Sequence, residues 1–206
     1  MAAIAALLEH TSVRALTASR FVGESLDLGW GRVFGGQLLG QGLAAAQATT
    51  SDDRVAHSLH SYFLRGGSVD SPVTYDVAAL RDGLNVSTRQ VSATQGGKLI
   101  FTMTVSFQAA FDGLEHSDVM PTVPAPAQCV AQDEFMHEMW DTLSPSLRCR
   151  HSLPITNAVD VRWVQALHPM RPTVHAPTRQ LWLRVRDQMP SSLHVQVPSL
   201  RLDTIG

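Results

Sequence analysis

The clearest alternation in the chain runs from Leu99 to Gln108, where Leu99, Phe101, Met103, Val105 and Phe107 fall on one face and Thr102, Thr104 and Ser106 on the other. Period-two alternation marks a half-buried strand. Three more stretches have strand character, residues 57–64, 72–80 and 86–93, and residues 20–25 read as an edge strand. The strands are joined by Arg65-Gly-Gly-Ser, Arg81-Asp-Gly-Leu and Gln95-Gly-Gly-Lys. A Gly-Gly pair suits a two-residue hairpin, and strands joined this tightly predict an antiparallel meander.

Ahead of these strands, residues 1–10 predict a short amphipathic helix. Residues 34–48, FGGQLLGQGLAAAQA, predict a second helix of a different kind. No charged residue occurs from Val33 to Ser51, and the run closes on the turn-forming Thr49-Thr-Ser-Asp-Asp53. A helix without a charged side is normally surrounded by protein, so the sheet is expected to curl around it. Gly36, Gly40 and Ala44 recur every four residues and share one face, which suggests a close approach of the sheet backbone there. Each interior glycine costs about 1 kcal/mol of helix propensity, which packing must offset.

The pattern weakens over residues 111–130, where Pro121, Pro124 and Pro126 predict an ordered linker. Beyond it, residues 133–140 predict a short helix ending near Pro145, and residues 158–164 and 179–186 alternate as two strands. Val159, Val161 and Trp163 share a face in the first, and Leu181, Leu183 and Val185 in the second. The tail from Ser191 starts like a serine-capped helix that Pro198 would interrupt. The expected organisation is therefore a first domain over residues 1–110, a linker over 111–130 and a second domain over 131–206.

Composition narrows the function. The chain has 206 residues, 44% of them hydrophobic, enough for a sizeable core. Its 16 basic and 18 acidic residues nearly balance, with no basic run, so nucleic acid and anionic membrane are poor partners. No apolar stretch approaches a membrane span, and the amino terminus lacks the basic flank of a secretory signal, so a cytoplasmic protein is expected. Cys129 and Cys149 have neither disulfide-framework nor zinc spacing. The absence of a Gly-x-Ser-x-Gly elbow and of phosphate-loop and dinucleotide fingerprints argues against a serine hydrolase or a nucleotide-dependent enzyme, and no cofactor is implied.

The segments VFGGQLLGQGLAAA, VAHSLHSYFLRGG, YDVAALRDG, LIFTMTVSFQ and EHSDVMPTVPAP resemble, in order, the acyl-CoA thioesterase II family. The resemblance runs from about residue 7 to about residue 187. It implies an α+β hotdog fold, in which a long central helix is wrapped by a curved antiparallel sheet, repeated twice in one chain. It also implies hydrolysis of fatty acyl-CoA to fatty acid and coenzyme A. In that family an Asp in the second central helix, preceded by an aromatic-Ala-Ser run, works with a Thr and a Gln from later strands to activate water. In the closing SLRLDTIG, Asp203 stands at about the position of that Asp, but the residues before it do not match the run. The positions of the Thr and Gln would fall past Gly206. A complete first hotdog and a partial second one are thus expected, with exposed strand edges that favour a homo-oligomer.

The implied hydrolysis needs a base for water and donors for a thioester oxyanion. Gly35, Gly36 and Gln37 start the uncharged helix, whose backbone N–H groups and dipole favour negative charge, although the glycines could serve packing alone. His57 is a second candidate for substrate contact, against the reading of a hydrogen-bonded structural histidine. His57 and His60, three apart on a strand, are expected on opposite faces and so cannot share a metal ion, with His57 on the face of Leu59. Asp76 and Asp82 read as solvated or turn-forming. Arg65, Arg81 and Arg89 could meet CoA phosphates but are scattered, so surface solvation is the expectation for them. A non-catalytic acyl-CoA-binding hotdog module is the alternative function. A hotdog hydratase would want an Asp near the first central helix, where the charge-free segment has none.

Overall fold

A computed structural model describes residues 2–29, 31–109, 113–145, 148, 158–167 and 173–186. Asp203, Cys149 and the tail from Ser191 lie outside the described residues. The described residues divide into two compact units, one from residue 5 to residue 109 and one from residue 113 to residue 186 together with residues 2–4.

The first unit contains the expected helix and sheet. Helix α1 (Ala2–Thr11) is followed by strands β1 (Arg14–Ala15) and β2 (Arg20–Gly23), then by the uncharged helix α2 (Gly35–Gln47). Strands β3 (Arg54–Phe63), β4 (Val73–Asp82), β5 (Val86–Gln95) and β6 (Lys98–Ala109) complete it. All pairings are antiparallel, in the spatial order β1-β2-β4-β5-β6-β3. Helix α2 packs against β2, β3, β4, β5 and β6, so the sheet does enclose it.

Two details differ from the sequence expectation. Only β4, β5 and β6 form a meander, because β3 crosses to the far side and pairs with β6. The Arg65-Gly-Gly-Ser segment is consequently a crossover that runs past the entry of α2, where the Val33 N–H donates to the Gly67 carbonyl at 3.0 Å. Strand β2 is not the edge, since the two-residue β1 pairs outside it. The Gln95-Gly-Gly-Lys hairpin is as expected: Gln95 pairs with Lys98, and Gly96 and Gly97 have φ of 55° and 74°, the doubly positive geometry of a type I′ turn.

The core lies between α2 and the inner face of the sheet. Tyr75, Phe101, Phe107, Leu43, Met103, Val73, Val91 and Val105 are fully buried there. A bulge in the β5–β6 pairing between Ala93 and Thr94 turns Ile100 inward beside Phe101, so Ile100 joins the core in place of the half-buried Leu99. The sheet-facing glycine of α2 is Gly42: a Cβ there would meet Met103 Cε and Phe101 Cε1, both at 3.4 Å. At about 100° per residue, Gly36, Gly40 and Ala44 then lie on the side of α2 opposite Gly42. At Gly42, off that stripe, the close contacts are side chains of β6.

The second unit has a three-stranded antiparallel sheet, β7 (Val130–Ala131), β8 (Val159–Trp163) and β9 (Leu181–Val185), in that order. Helix α3 (Gln132–Glu138) precedes a 3-10 turn at Trp140–Thr142. Val159 and Val161 are buried as their alternation implies, but Asp160 between them is buried too, and Leu183 is exposed. The end of the Pro-rich segment is bonded into this sheet, for the Trp182 indole N–H donates to the Pro124 carbonyl at 3.0 Å.

Candidate functional site

The start of α2 is made by Phe34, an N-cap residue with extended backbone and no side-chain cap. The first helical bonds are those of the Gln37 and Leu38 N–H groups to the Phe34 carbonyl, so the N–H groups of Gly35 and Gly36 precede the hydrogen-bonded ladder. Neither the first nor the last turn of α2 carries a dipole-compensating charge of its own.

Gln37 holds this start in place. Its buried amide accepts the Leu26 N–H at 3.2 Å and donates to the Glu24 carbonyl at 2.6 Å, pinning the loop that enters the helix. One turn later Gln41, 1% exposed, donates to the carbonyls of His10 and Glu24, both at 2.9 Å, and accepts from the Tyr75 hydroxyl at 2.7 Å. Burial pushes the Tyr75 phenol far up, so it remains a donor at any ordinary pH. The next loop residues are ordered by Asp27, whose carboxylate accepts the N–H groups of Gly29 and Gly31 at 2.7 and 3.0 Å. Gln37, a candidate substrate contact from the sequence, shares the Glu24 carbonyl with Gln41 in one buried amide network.

His57 lies elsewhere. In β3 it is the extra residue between Ala56, opposite Phe107, and Ser58, opposite Ser106. This bulge resets the alternation, so His57 and His60 are both exposed while Leu59 turns toward the core. The expected face assignment is corrected accordingly: His57 shares a side with His60, not with Leu59. His57 Nε2 is 2.9 Å from Ser106 Oγ, on the side of the sheet away from α2, so the structure does not bring it to Gly35 and Gly36.

Arg89 also departs from expectation. It is 4% exposed and donates to Thr49 Oγ1 and the Thr49 carbonyl, both at 2.9 Å, while reaching Asp82 at 2.8 Å. Asp82 also accepts the Ser87 hydroxyl at 2.6 Å, and these bonds from Ser87 and then Arg89 hold its carboxyl below the usual aspartate value. Asp76 pairs with Arg20 at 2.6 Å on the surface. Among the described residues no three His, Cys, Asp or Glu side chains come together as a metal site, and no helix is long and apolar enough to cross a membrane.

A cluster that the sequence reading missed sits in the second unit. Asp160, 5% exposed, faces Arg162 at 3.1 Å, Arg184 at 3.4 Å and Arg186 at 3.9 Å, and Arg186 also bonds Asp133 at the start of α3. The signal was present in the Arg-Val-Arg alternation of residues 184–186, which puts two cations on one strand face.

Residues 26–108 match the model of the acyl-CoA thioesterase N-terminal domain. Over these residues the chain is similar to acyl-CoA thioesterases. It is 34% identical over 176 residues to acyl-CoA thioesterase 2 of Haemophilus influenzae, covering 85% of this chain and 61% of that protein. It is 35% identical over 162 residues to human acyl-coenzyme A thioesterase 8, covering 75% of this chain and 50% of that one. The chain thus spans about half to three-fifths of the length of these relatives. Among solved structures, an acyl-CoA thioesterase II from Mycobacterium marinum matches with a TM-score of 0.72 and 29% identity, over 96% of this chain and 68% of that one. A hotdog-fold protein from Alicyclobacillus acidocaldarius matches with a TM-score of 0.70 at 19% identity, covering 94% and 68% of the two chains, a likeness of fold alone. The matched segment of residues 26–108 lies within the first helix-and-sheet unit, and the α+β hotdog expected from the sequence is the fold observed.

Proposed function

We propose that the chain takes part in hydrolysis of fatty acyl-CoA to a free fatty acid and coenzyme A. The observation that carries this is the match of residues 26–108 to an acyl-CoA thioesterase domain, on a unit that folds as a hotdog around the uncharged α2. In the proposed reaction a water oxygen bonds to the thioester carbonyl carbon while a base removes its proton. The carbonyl oxygen gains charge, the C–S bond then breaks, and the proton returns to the departing CoA thiolate. The N–H groups of Gly35 and Gly36 are suited to the carbonyl oxygen, with Gln37 fixing the helix start behind them. Asp203 is the proposed base, and His57 is left out because it faces away from α2. In this reading residues 1–110 are a first hotdog, 111–130 a linker and 131–206 part of a second, in an enzyme of cytoplasmic fatty acid metabolism.

The test is release of free thiol from a medium-chain acyl-CoA by the 206-residue chain and by Asp203→Ala. The variant should lose about a hundredfold in rate, the lower end of what a positioned base contributes. Acyl-CoA binding without thiol release in either protein would support a binding module instead, and equal rates would remove Asp203 from the mechanism.

A homo-oligomer is part of the same proposal. Among the described residues strand β3 ends the sheet, and Val55, Tyr62, Phe63 and Leu64 on or beside it are exposed, the features of an edge open to pairing. The double variant Val55→Lys and Tyr62→Lys is expected to shift the chain toward monomer in sedimentation velocity, as charge on an edge opposes pairing. An unchanged distribution would move the interface away from β3.

A further inference from the structure

We propose that the strand face carrying Arg162, Arg184 and Arg186 binds the phosphates at the nucleotide end of coenzyme A, an inference that rests on the thioesterase reading. In the antiparallel register Asp160 stands opposite Arg184 and Arg162 opposite Trp182, so these side chains, with Arg186 two positions on, share one face of β8 and β9. Among the described residues, three guanidinium groups converge there on two carboxylates, Asp160 and Asp133, one positive charge in excess.

The carboxylates orient the cations more than they cancel them. Asp160 is buried beneath the arginines, and its two oxygens hold three guanidinium groups at 3.1 to 3.9 Å. Each guanidinium has five N–H donors. The Arg184 side chain is 78% exposed, and its one ion-pair contact among the described residues is the 3.4 Å reach to Asp160. Its remaining donors face water. Planar donors held in place by a buried acceptor suit a phosphate, which takes two parallel N–H bonds from one arginine. Half-buried Trp182 on the same face, fixed by its bond to the Pro124 carbonyl, adds an aromatic surface of the kind on which a purine stacks. Of the arginines named from the sequence for this role, Arg89 is buried against Thr49 and Arg65 donates to the Leu99 carbonyl.

Calorimetric titration of the 206-residue chain with coenzyme A, dephospho-CoA and pantetheine tests the assignment. Coenzyme A is expected to bind more tightly than dephospho-CoA. Arg184→Gln should weaken coenzyme A about tenfold, the loss of one charge-assisted hydrogen bond. The same variant should leave pantetheine binding and the melting temperature unchanged, since Arg184 lies outside the core. Arg184→Glu should weaken coenzyme A further. Equal affinity for coenzyme A in the wild type and Arg184→Gln, or no binding by the wild type, would overturn the proposal. Arg184-dependent binding without thiol release from acyl-CoA would retain this surface and remove the thioesterase reading. Thiol release with a KM for acyl-CoA unaffected by Arg184→Gln would do the reverse.

Discussion

Replacing Gln41 by alanine is expected to destabilise the chain by about 4 kcal/mol, read from urea unfolding. The Tyr75 hydroxyl would lose its acceptor and the His10 carbonyl its donor. Each such buried group costs about 1–3 kcal/mol when left unpaired. The Glu24 carbonyl keeps the bond from Gln37 and adds little. The emptied side-chain volume supplies the rest. A partner experiment isolates the cause. A Cβ on Gly23 would lie 2.3 Å from Gln41 Oε1, so Gly23→Ala must expel the amide from its three partners, at an expected loss of about 2–3 kcal/mol. In the Gln41→Ala background the same substitution should be nearly neutral, because the clash and the network are both gone. Additive losses would mean that Gln41 does not occupy the space above Gly23.

This network shows which links the sequence made legible. That α2 is buried followed from its lack of charge, and that β6 is half-buried followed from its alternation; both are local patterns set by one residue facing protein and the next facing water. Direction and adjacency are not local. Alternation states which face a residue takes but not which strand lies beside it, so the crossing of β3 to β6 was invisible and Arg65-Gly-Gly-Ser read as a hairpin. A bulge adds one residue without a compositional mark, and it put His57 and Leu59, assigned to one face, on opposite faces. The Gly36, Gly40 and Ala44 period pointed to one face of α2, but the glycine packed against Met103 and Phe101 is Gly42, off that stripe. Arg89 could have been found: it sits two residues before buried Val91 and two after buried Ser87, on the inward face of β5. Charge alone suggested solvent, whereas position in the alternation indicated burial with partners. Gly35, Gly36 and Gln37 were legible as a helix start, but the role of Gln37 depended on the loop that folds against it.

Arg89→Met is expected to cost about 3 kcal/mol, toward the lower end for breaking a buried ion pair by removing one partner. Methionine fills much of the stem volume but supplies no donor for the Thr49 carbonyl, and the hold of β5 on the end of α2 is lost. The figure is not larger because Asp82, on the other side of the pair, is 57% exposed and can be rehydrated. Acid separates this effect from simple loss of packing. Asp82 has its folded pKa depressed, by Ser87 first and Arg89 next, so its contribution is fully present above the ordinary aspartate value and is lost as pH falls through the lower folded value. The wild type should therefore lose stability as pH drops below about 4. Arg89→Met should be less stable at pH 7 yet lose less on going to pH 3, since part of the depression has been removed. Comparing urea midpoints of both proteins at the two pH values checks this. A parallel drop in both would place the stabilisation by Arg89 in its bonds to Thr49 alone. A shallower acid drop in the variant would show that one guanidinium ties the end of the central helix to the charge at the β4–β5 turn.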